Sequence, residues 1–373
     1  MTLFYDEEVA EARQLADVVD LFGGPGGWDE AAVVLGLSAI GLEFERWACA
    51  TRRAAGHPTV ECDVADVDPL DFLGAVGLIA SPPCQSFSAA GNRGALGHIA
   101  ALLDAIRERR WHFRPSRDAR VWLVLEVGRW YEALRPEWVA LEQVPAVLPL
   151  WEAYAEVLAA DGYSVWTGIL NAADFGVPQT RRRAVLIASR TRTVSPPPAT
   201  HAEKGAGGLA PWVTMAEALQ LGDRFSVGFP RLDDRGDSED GYRERDWRHE
   251  DEPSFTVTEK ARSWTVRTGI NPDDERDTGR PAPTATTRLD QWELNTGRDW
   301  NDGRDNSKMV GRSENAIRIT VQDALVLQSF RADYPVKGTK TRQFEQIGNA
   351  IPPLLALRVL EAVLPSRLDQ DHP

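Results

Sequence analysis

Apolar runs of strand length alternate with segments of helical character along the first half of the chain. The run at 16–22 alternates polar and apolar residues and enters a glycine-rich turn, after which residues 29–37 have helical character. The same patterns predict further strands at 38–43, 75–80, 137–145, 163–170 and 184–188, and helices at 98–110 and 118–134. This alternation of strands and helices predicts an α/β fold.

A change of composition marks a second region of the chain. Residues 193–198 contain three consecutive prolines and predict a stiff linker, after which the chain stays polar. Two similar fragments in this region, 252–258 and 280–286, predict paired short strands in a second, mostly β domain. Residues 319–330 then have helical character, with Thr320 as the N-cap. The predicted units are 1–192, 193–316 and 317–373.

Length and charge refine this picture. A chain of 373 residues exceeds the usual ceiling for one core, which favours two domains. The formal net charge of −14 should repel nucleic acid, so an enzyme acting on nucleic acid would have to concentrate its positive charge in a cleft. The best local candidate is the run Arg181 to Arg183, with Arg190 and Arg192 close behind. A solvated strand edge is the alternative explanation of that run.

Several classes of protein are disfavoured by what the sequence lacks. Residues 1–11 are acidic and carry no apolar segment of signal-peptide length, and no apolar stretch is long enough to span a bilayer. We therefore expect a cytoplasmic protein without a membrane partner. The three cysteines are widely spaced and odd in number, which argues against a disulfide framework. Because there is no CxxC pair and only six scattered histidines, we expect no metal site.

The loop from Ser81 to Ser88 carries the most distinctive candidate chemistry. It follows the predicted strand 75–80, so Cys84 lies beyond a strand's carboxyl end, where open α/β sheets place their chemistry. Pro82 and Pro83 fix two backbone angles and remove two donors, which stiffens the loop before the thiol. These features favour a nucleophile, although cysteine is also a common small core residue.

Six stretches of this sequence form an ordered set, namely Asp20 to Gly27, Glu43 with Phe44 and Asp63, Pro83 to Gln85, Glu142 to Val144, Gln179 to Arg183, and Gln346 to Pro353. Taken in this order, they resemble the cytosine-5 methyltransferases, which act on DNA and, in one branch, on tRNA. The resemblance covers residues 17–190 and 317–364. A glycine-rich turn alone would equally suit a dehydrogenase, but its spacing here departs from G-x-G-x-x-G.

The resemblance implies a Rossmann-like catalytic domain that binds S-adenosylmethionine and a smaller, mostly β target-recognition domain. The last stretch would return to the catalytic domain and complete the cofactor pocket. Glu43 would bind the ribose hydroxyls, Phe44 would contact the adenine ring, and Asp63 would bind the adenine amino group. The cofactor-binding residues implied are Phe22, Gly23, Gly24, Gly26, Gly27, Glu43, Phe44, Asp63, Pro83 and Asn349.

The resemblance also implies the catalytic groups. A Cys84 thiolate would attack C6 of cytosine, and protonation of N3 by Glu142 would favour that attack. Arg181 and Arg183 would share one face by strand alternation and would hold the phosphate or the carbonyl oxygen of a flipped nucleotide. The family expects Glu-Asn-Val where this chain has Glu142-Gln143-Val144, which puts the local hydrogen bonding of the asparagine in doubt.

Double-stranded DNA is the expected partner, with contacts predicted at Gln85, Ser88, Arg262, Arg267 and Arg288. The acidic segment 233–252 would be a poor DNA surface. We expect a monomeric, sequence-specific DNA cytosine-5 methyltransferase, with a cognate restriction endonuclease as a further possible partner. A tRNA cytosine-5 methyltransferase and a catalytically silent DNA-binding protein are the alternatives.

Overall fold

The fold is taken from a computed structural model that describes most of the first two hundred residues and the C-terminal segment. The described residues are 16–83, 87, 96–220, 225–228, 247–249, 251–258, 265–268 and 316–364. Five predicted site residues lie outside them, namely Cys84, Gln85, Ser88, Arg262 and Arg288. Arg267 lies in a described strand of the second sheet.

A seven-stranded, mostly parallel sheet forms the centre of the molecule, in the order β3-β2-β1-β4-β5-β7-β6. Neighbouring strands are parallel from β3 through β5, and β7 runs antiparallel to both of its neighbours. The strands are β1 Val18–Leu21, β2 Ala39–Glu43, β3 Thr59–Glu61, β4 Gly77–Ala80, β5 Trp138–Gln143, β6 Ser164–Asn171 and β7 Arg182–Ser189. This architecture confirms the predicted Rossmann-like α/β fold.

The apolar runs become central strands because both faces of the sheet are covered. Every residue of β1, β4 and β5 is buried, as expected for parallel strands packed between helices. Side chains alternate between the two faces, so that Leu78 and Ala80 enter one core whereas Ile79 enters the other. The carboxyl ends of these strands therefore emerge from a rigid base.

Helices cover both faces of the sheet. One face packs against α1 and the C-terminal α10, and the opposite face packs against α3, α5 and α6. Because α10 packs beside α1, the end of the chain lies next to the first turn after β1. The helices are α1 Gly27–Leu35, α2 Arg46–Ala55, α3 Ile99–Arg107, α4 Ala119–Trp122, α5 Glu126–Leu134, α6 Leu148–Ala160, α7 Met215–Leu219, α8 Val321–Leu327, α9 Lys340–Asn349 and α10 Pro353–Val363.

A separate antiparallel sheet of four strands has the order β11-β10-β12-β13. Its last strand crosses the predicted domain boundary at residue 316, and Thr320 then caps α8 in a reciprocal bond with Asp323, as its sequence predicts. A two-stranded parallel pair, β8 with β9, precedes this sheet. The strands are β8 His201–Ala202, β9 Ala210–Pro211, β10 Phe225–Gly228, β11 Trp247–His249, β12 Thr265–Thr268 and β13 Ala316–Arg318.

The prediction that fragment 252–258 forms a strand of the second domain is wrong. Ser254 makes an isolated bridge to Gln179, and its backbone exchanges hydrogen bonds with Pro178 and Thr180. Val257 is fully buried among side chains of α7, α8 and α9. The fragment therefore packs against residues 178–180 and these three helices, while its counterpart at 280–286 lies outside the described residues.

Two features are absent from the described ranges. No helix there is long and apolar enough to cross a membrane. No group of three or more histidine, cysteine, aspartate or glutamate side chains there is arranged to hold a metal ion.

Candidate active site

One cavity of about 460 Å³ lies at the carboxyl ends of β1, β2, β4 and β5. This is the edge at which open α/β sheets bind their ligands. The C-terminal segment and α4 contribute further parts of its wall. The lining includes Phe22, Gly23, Gly24, Gly27, Glu43, Phe44, Asp63, Ser81, Pro83, Ala119, Leu123, Glu142, Gln143, Arg183, Asn349 and Ile351.

The glycine loop between β1 and α1 forms one end of the cavity. Gly26 has φ 105°, which a residue with a side chain rarely adopts. A Cβ at Gly27 would lie 2.2 Å from the carbonyl oxygen of Ile351, so only glycine lets the loop approach the C-terminal segment this closely. The loop thus depends on a contact between distant parts of the chain.

Gly26 is the one predicted cofactor-binding residue that does not line the cavity. A Cβ placed there would lie 2.7 Å from Tyr334 Oη and 2.8 Å from a ring carbon of His57. Tyr334 also donates a 2.5 Å hydrogen bond to the carbonyl of Pro25. Gly26 therefore admits the residues that pack behind the loop, and its contact with the cofactor stays a prediction.

Glu43 lies at the end of β2 and holds three backbone N–H groups. Its Oε2 accepts from Gly24 at 2.7 Å, and its Oε1 accepts from Phe44 at 2.9 Å and Glu45 at 2.7 Å. Burial raises the pKa of this carboxyl, and the hydrogen bonds from Glu45 and Gly24 partly oppose that shift. The side chain is thus already fixed, with acceptor capacity left for about one more donor.

Two further residues predicted to bind the cofactor, Phe44 and Asp63, also line the cavity. Phe44 is 76% exposed, an unusual position for a large apolar ring, and it lines the cavity. Asp63 also lines the cavity, and its Oδ1 accepts a 2.9 Å hydrogen bond from the backbone of Ala65. Both positions are compatible with the predicted adenine contacts.

Glu142 and Arg183 form the opposite end of the cavity. Glu142 is buried near the carboxyl end of β5, and Oε1 of its carboxylate lies 2.8 Å from Nε of Arg183 on the neighbouring β7. Ala80 at the end of β4 pairs with Leu141, so parallel pairing brings the start of the Ser81 loop beside Glu142. Trp28 Nε1 donates to Ser81 Oγ at 2.9 Å and fixes the loop's first residue.

Gln143 supplies the hydrogen bonds that its replacement of asparagine had put in doubt. Its side-chain nitrogen donates to the carbonyl of Pro82, and its Oε1 accepts from the backbone of Val144 at 2.5 Å. The amide is buried. Gln143 therefore ties the end of β5 to the proline pair that precedes Cys84.

Arg181 does not line this cavity, which corrects the prediction that it shares a face with Arg183. Strand β7 begins at Arg182, so strand alternation does not extend back to Arg181. The Arg181 side chain is buried and donates to the carbonyls of Val257 at 3.2 Å, Gly348 at 2.9 Å and Ala350 at 2.9 Å. It joins three distant segments of the chain.

The sequence interpretation missed the residues that support the cavity from behind, and Arg52 is the largest of these. Ala48, Cys49 and Thr51 of α2 are buried, and Arg52 continues that buried stripe at helical spacing. Only this placement of an arginine on an apolar face could have identified it. Tyr334 and the α4 residues that line the cavity carry no comparable signal.

Comparison with known proteins agrees with this geometry. Residues 16–364 match the family model for C-5 cytosine-specific DNA methylase. The chain is 27% identical over 361 residues to the Type II methyltransferase M1.HphI of Haemophilus parahaemolyticus, which covers 93% of this chain and 86% of that relative. It is 29% identical over 187 residues to the Type II methyltransferase M.DdeI of Desulfomicrobium norvegicum, which covers 46% of this chain and only 40% of that relative.

The fold agrees with a solved structure as well. The Dnmt2 methyltransferase of S. pombe superposes with a TM-score of 0.55 at 15% identity, covering 93% of this chain and 97% of that one. At this identity the likeness concerns the fold alone. With the family match over nearly all of the described chain, the chain belongs to the C-5 cytosine-specific DNA methylase family.

Proposed function

We propose that this protein transfers a methyl group from S-adenosylmethionine to C5 of a cytosine flipped out of duplex DNA, at a specific sequence. The observation that carries the proposal is the continuity of the cavity. Nine of the predicted cofactor residues line it together with Glu142 and Arg183, and Pro83, directly before Cys84, is part of the same wall. A methyl donor and a base could meet there.

The residues at the glycine-loop end fit S-adenosylmethionine. The volume of about 460 Å³ lies within the range of ligand pockets. Glu43 has room for a hydroxyl donor, and Phe44 offers an exposed ring beside it. When bound, S-adenosylmethionine would supply an electrophilic methyl group, whereas the protein's own side chains would activate the base.

The proposed activation begins with the base. The Cys84 thiolate would form a bond to C6 of cytosine while the Glu142 carboxyl gives a proton to N3, so that C5 becomes nucleophilic. After C5 has gained the methyl group, a water molecule from solvent would accept the C5 proton, so that the C5–C6 double bond is restored and the thiolate is expelled, and N3 would return its proton to Glu142. Each bond formed to the enzyme is thus broken again.

Arg183 would have two positions in this cycle. In the free protein its Nε lies 2.8 Å from the Glu142 carboxylate. If its guanidinium moved to the carbonyl oxygen of the entering base, Glu142 would be free to carry the proton that N3 needs. The ion pair would therefore open when substrate binds.

The remaining parts of the proposal concern recognition. We assign target recognition to residues 193–316, where β10, β11 and β12 form most of the four-stranded sheet. DNA contacts at Gln85, Ser88, Arg262, Arg267 and Arg288 stay predictions. A monomeric state and pairing with a restriction endonuclease stay predictions too.

Transfer of a labelled methyl group from S-adenosylmethionine tests the proposal. Intact protein and Cys84→Ser would each be incubated with mixed-sequence duplex DNA and, separately, with tRNA. We expect label in DNA with the intact protein only. Label confined to tRNA would favour the tRNA branch of the family, and DNA label that survives Cys84→Ser would contradict the covalent mechanism.

A further inference from the structure

A completely buried arginine lies directly beneath the glycine loop. Arg52 of α2 makes a bidentate ion pair with Asp29 of α1, with both N–O distances at 2.7 Å. The same Nη1 that contacts Asp29 also donates to the carbonyl oxygen of Gly23 at 2.9 Å. One guanidinium thus joins an ion pair to the backbone of the cavity wall.

The position of this guanidinium is fixed on several sides. A Cβ at Gly41 would lie 1.8 Å from Nη2 of Arg52, and a Cβ at Gly23 would lie 2.4 Å from Nη1. Nε donates to Thr59 Oγ1 at 3.1 Å. Glycines on β2 and in the loop therefore leave a slot that the guanidinium fills, so its contact with the Gly23 carbonyl is held in one geometry.

Arg52 also carries a positive charge among three acidic side chains, those of Asp20, Asp29 and Glu43. Asp20 Oδ2 lies 3.7 Å from its Nη1. Burial, followed by the charge of Asp29, raises the pKa of Asp20 well above its ordinary value, and Arg52 opposes that shift. Burial likewise raises the pKa of Glu43, and Arg52 again acts in the opposite direction. The guanidinium thus favours the charged form of the carboxylate predicted to bind ribose.

We propose that Arg52 is a positioning residue for the cofactor, which fixes the Gly23 carbonyl from below while Glu43 fixes the Gly24 N–H from the side. This inference rests on the proposed use of S-adenosylmethionine. The peptide group between Gly23 and Gly24 is thus held at its C=O and at its N–H by two side chains of opposite charge. Loss of Arg52 would leave the Gly23 carbonyl with the longer 3.2 Å hydrogen bond from the Gly26 N–H but without its charged donor, and would weaken cofactor binding.

If Arg52 had only a structural role, cofactor binding would not depend on its contact with Gly23. A double substitution of Arg52 and Asp29 distinguishes this role from the positioning role. Replacing a buried ion pair by apolar residues of similar volume is often neutral for stability, whereas removing one partner is costly. The double variant Arg52→Met/Asp29→Leu should therefore fold, yet it lacks the donor to Gly23. Arg52→Lys keeps the charge but cannot reproduce the fork that reaches Asp29 and Gly23 together.

The experiment measures the affinity for S-adenosylhomocysteine by calorimetry and the urea unfolding midpoint of each variant. We expect at least tenfold weaker binding by the double variant and at least threefold weaker binding by Arg52→Lys, with affinity for mixed-sequence duplex DNA within twofold of wild type. The matched control is Arg53→Met, because the neighbouring Arg53 pairs with Glu61 at the surface. It should bind S-adenosylhomocysteine like wild type.

The outcomes separate this inference from the proposed function. A folded Arg52→Lys or double variant that binds S-adenosylhomocysteine within twofold of wild type would overturn the positioning role. A loss of cofactor and DNA affinity in parallel, with a lower unfolding midpoint, would assign Arg52 a general structural role instead. If the wild-type protein itself failed to bind S-adenosylhomocysteine, the proposed function would fail first.

Discussion

The two ends of the cavity are held in different ways. The cofactor end is supported from several distant parts of the chain, since Arg52, Tyr334 and Ile351 all contact the glycine loop. At the catalytic end, β5 and β7 are paired through their backbones, and the two functional side chains that project from them, Glu142 and Arg183, are held by an ion pair with each other. This difference suggests that the cofactor end is preorganised, whereas the catalytic end has an interaction that substrate must rearrange.

The largest expected effect separates chemistry from cofactor binding. Glu142→Gln removes the acid proposed for N3, and general acid–base groups typically contribute about 10²- to 10⁴-fold to rate. We expect methyl transfer to slow by about 10³-fold, with S-adenosylhomocysteine affinity within twofold of wild type. Single-turnover kinetics measure the rate of methyl transfer, and calorimetry measures the affinity for S-adenosylhomocysteine. A rate loss below fivefold would remove Glu142 from the mechanism.

A second substitution tests whether Arg181 supports the fold or the chemistry. Arg181→Met leaves the carbonyls of Val257, Gly348 and Ala350 without their charged donor. We expect the free energy of unfolding to fall by about 3 kcal/mol, because unsatisfied buried groups are costly.

The control for that substitution is the exposed neighbour Arg182. Arg182→Met should change the free energy of unfolding by less than about 0.5 kcal/mol, as is usual for surface substitutions. Urea unfolding measures both variants. An Arg181→Met protein of wild-type stability and cofactor affinity but with slow transfer would instead return Arg181 to the catalytic group.

Tyr334 provides a finer test of support at the cofactor end. Tyr334→Phe removes the hydrogen bond to Pro25, and a bond of this kind contributes about 1 kcal/mol. We expect S-adenosylhomocysteine affinity to fall about fivefold. Tyr163→Phe is the matched control, because that hydroxyl donates to the carbonyl of Pro136 in another part of the molecule. Equal effects of both variants on binding would argue against a specific role for Tyr334.

The smallest expected effect concerns the charges beneath the glycine loop. Because the pKa of Asp20 is raised, the folded protein binds that proton more tightly than the unfolded chain does. Its contribution to stability therefore falls as pH rises between the ordinary aspartate pKa and the raised value. Asp20→Asn should flatten this decline in urea unfolding followed across pH.

Asp161 supplies a control of opposite sign. The hydrogen bond from Arg109 lowers the pKa of Asp161 to about 2. The contribution of Asp161 to stability is therefore fully present above the ordinary aspartate pKa, and it is lost as the pH falls from there toward about 2. Asp161→Asn should remove a loss of stability in acid. If Asp20→Asn instead behaved like Asp161→Asn, Asp20 would be stabilised in its charged form.

Local sequence patterns predicted six of the seven strands of the central sheet, all except β3, and the family resemblance predicted most of the cavity lining. Strands such as β4 and β5 are continuous apolar runs, and their parallel order brings the Ser81 loop and Glu142 to one edge. Nearly all of the residues that the family resemblance assigned to the cofactor line the same space. These features depend on short stretches whose patterns are visible in isolation.

Contacts between distant segments could not be predicted in the same way. The partners of Arg181 are backbone carbonyls of residues 257, 348 and 350, and any residue type could supply a carbonyl. Fragment 252–258 has a strand-like composition, yet Gln179 and its neighbours satisfy its backbone. Tertiary packing determines the partners of Arg181 and the conformation of this fragment, and it overrides the local structural preference of the sequence.

The most direct test of the central claim identifies the atom that receives the methyl group. Duplex DNA incubated with the protein and S-adenosylmethionine would be digested to nucleosides and analysed by mass spectrometry, with Cys84→Ser and Glu142→Gln alongside. The account predicts 5-methylcytosine with the intact protein, none with Cys84→Ser and a trace with Glu142→Gln. Methylation on an exocyclic nitrogen of cytosine or adenine would contradict it.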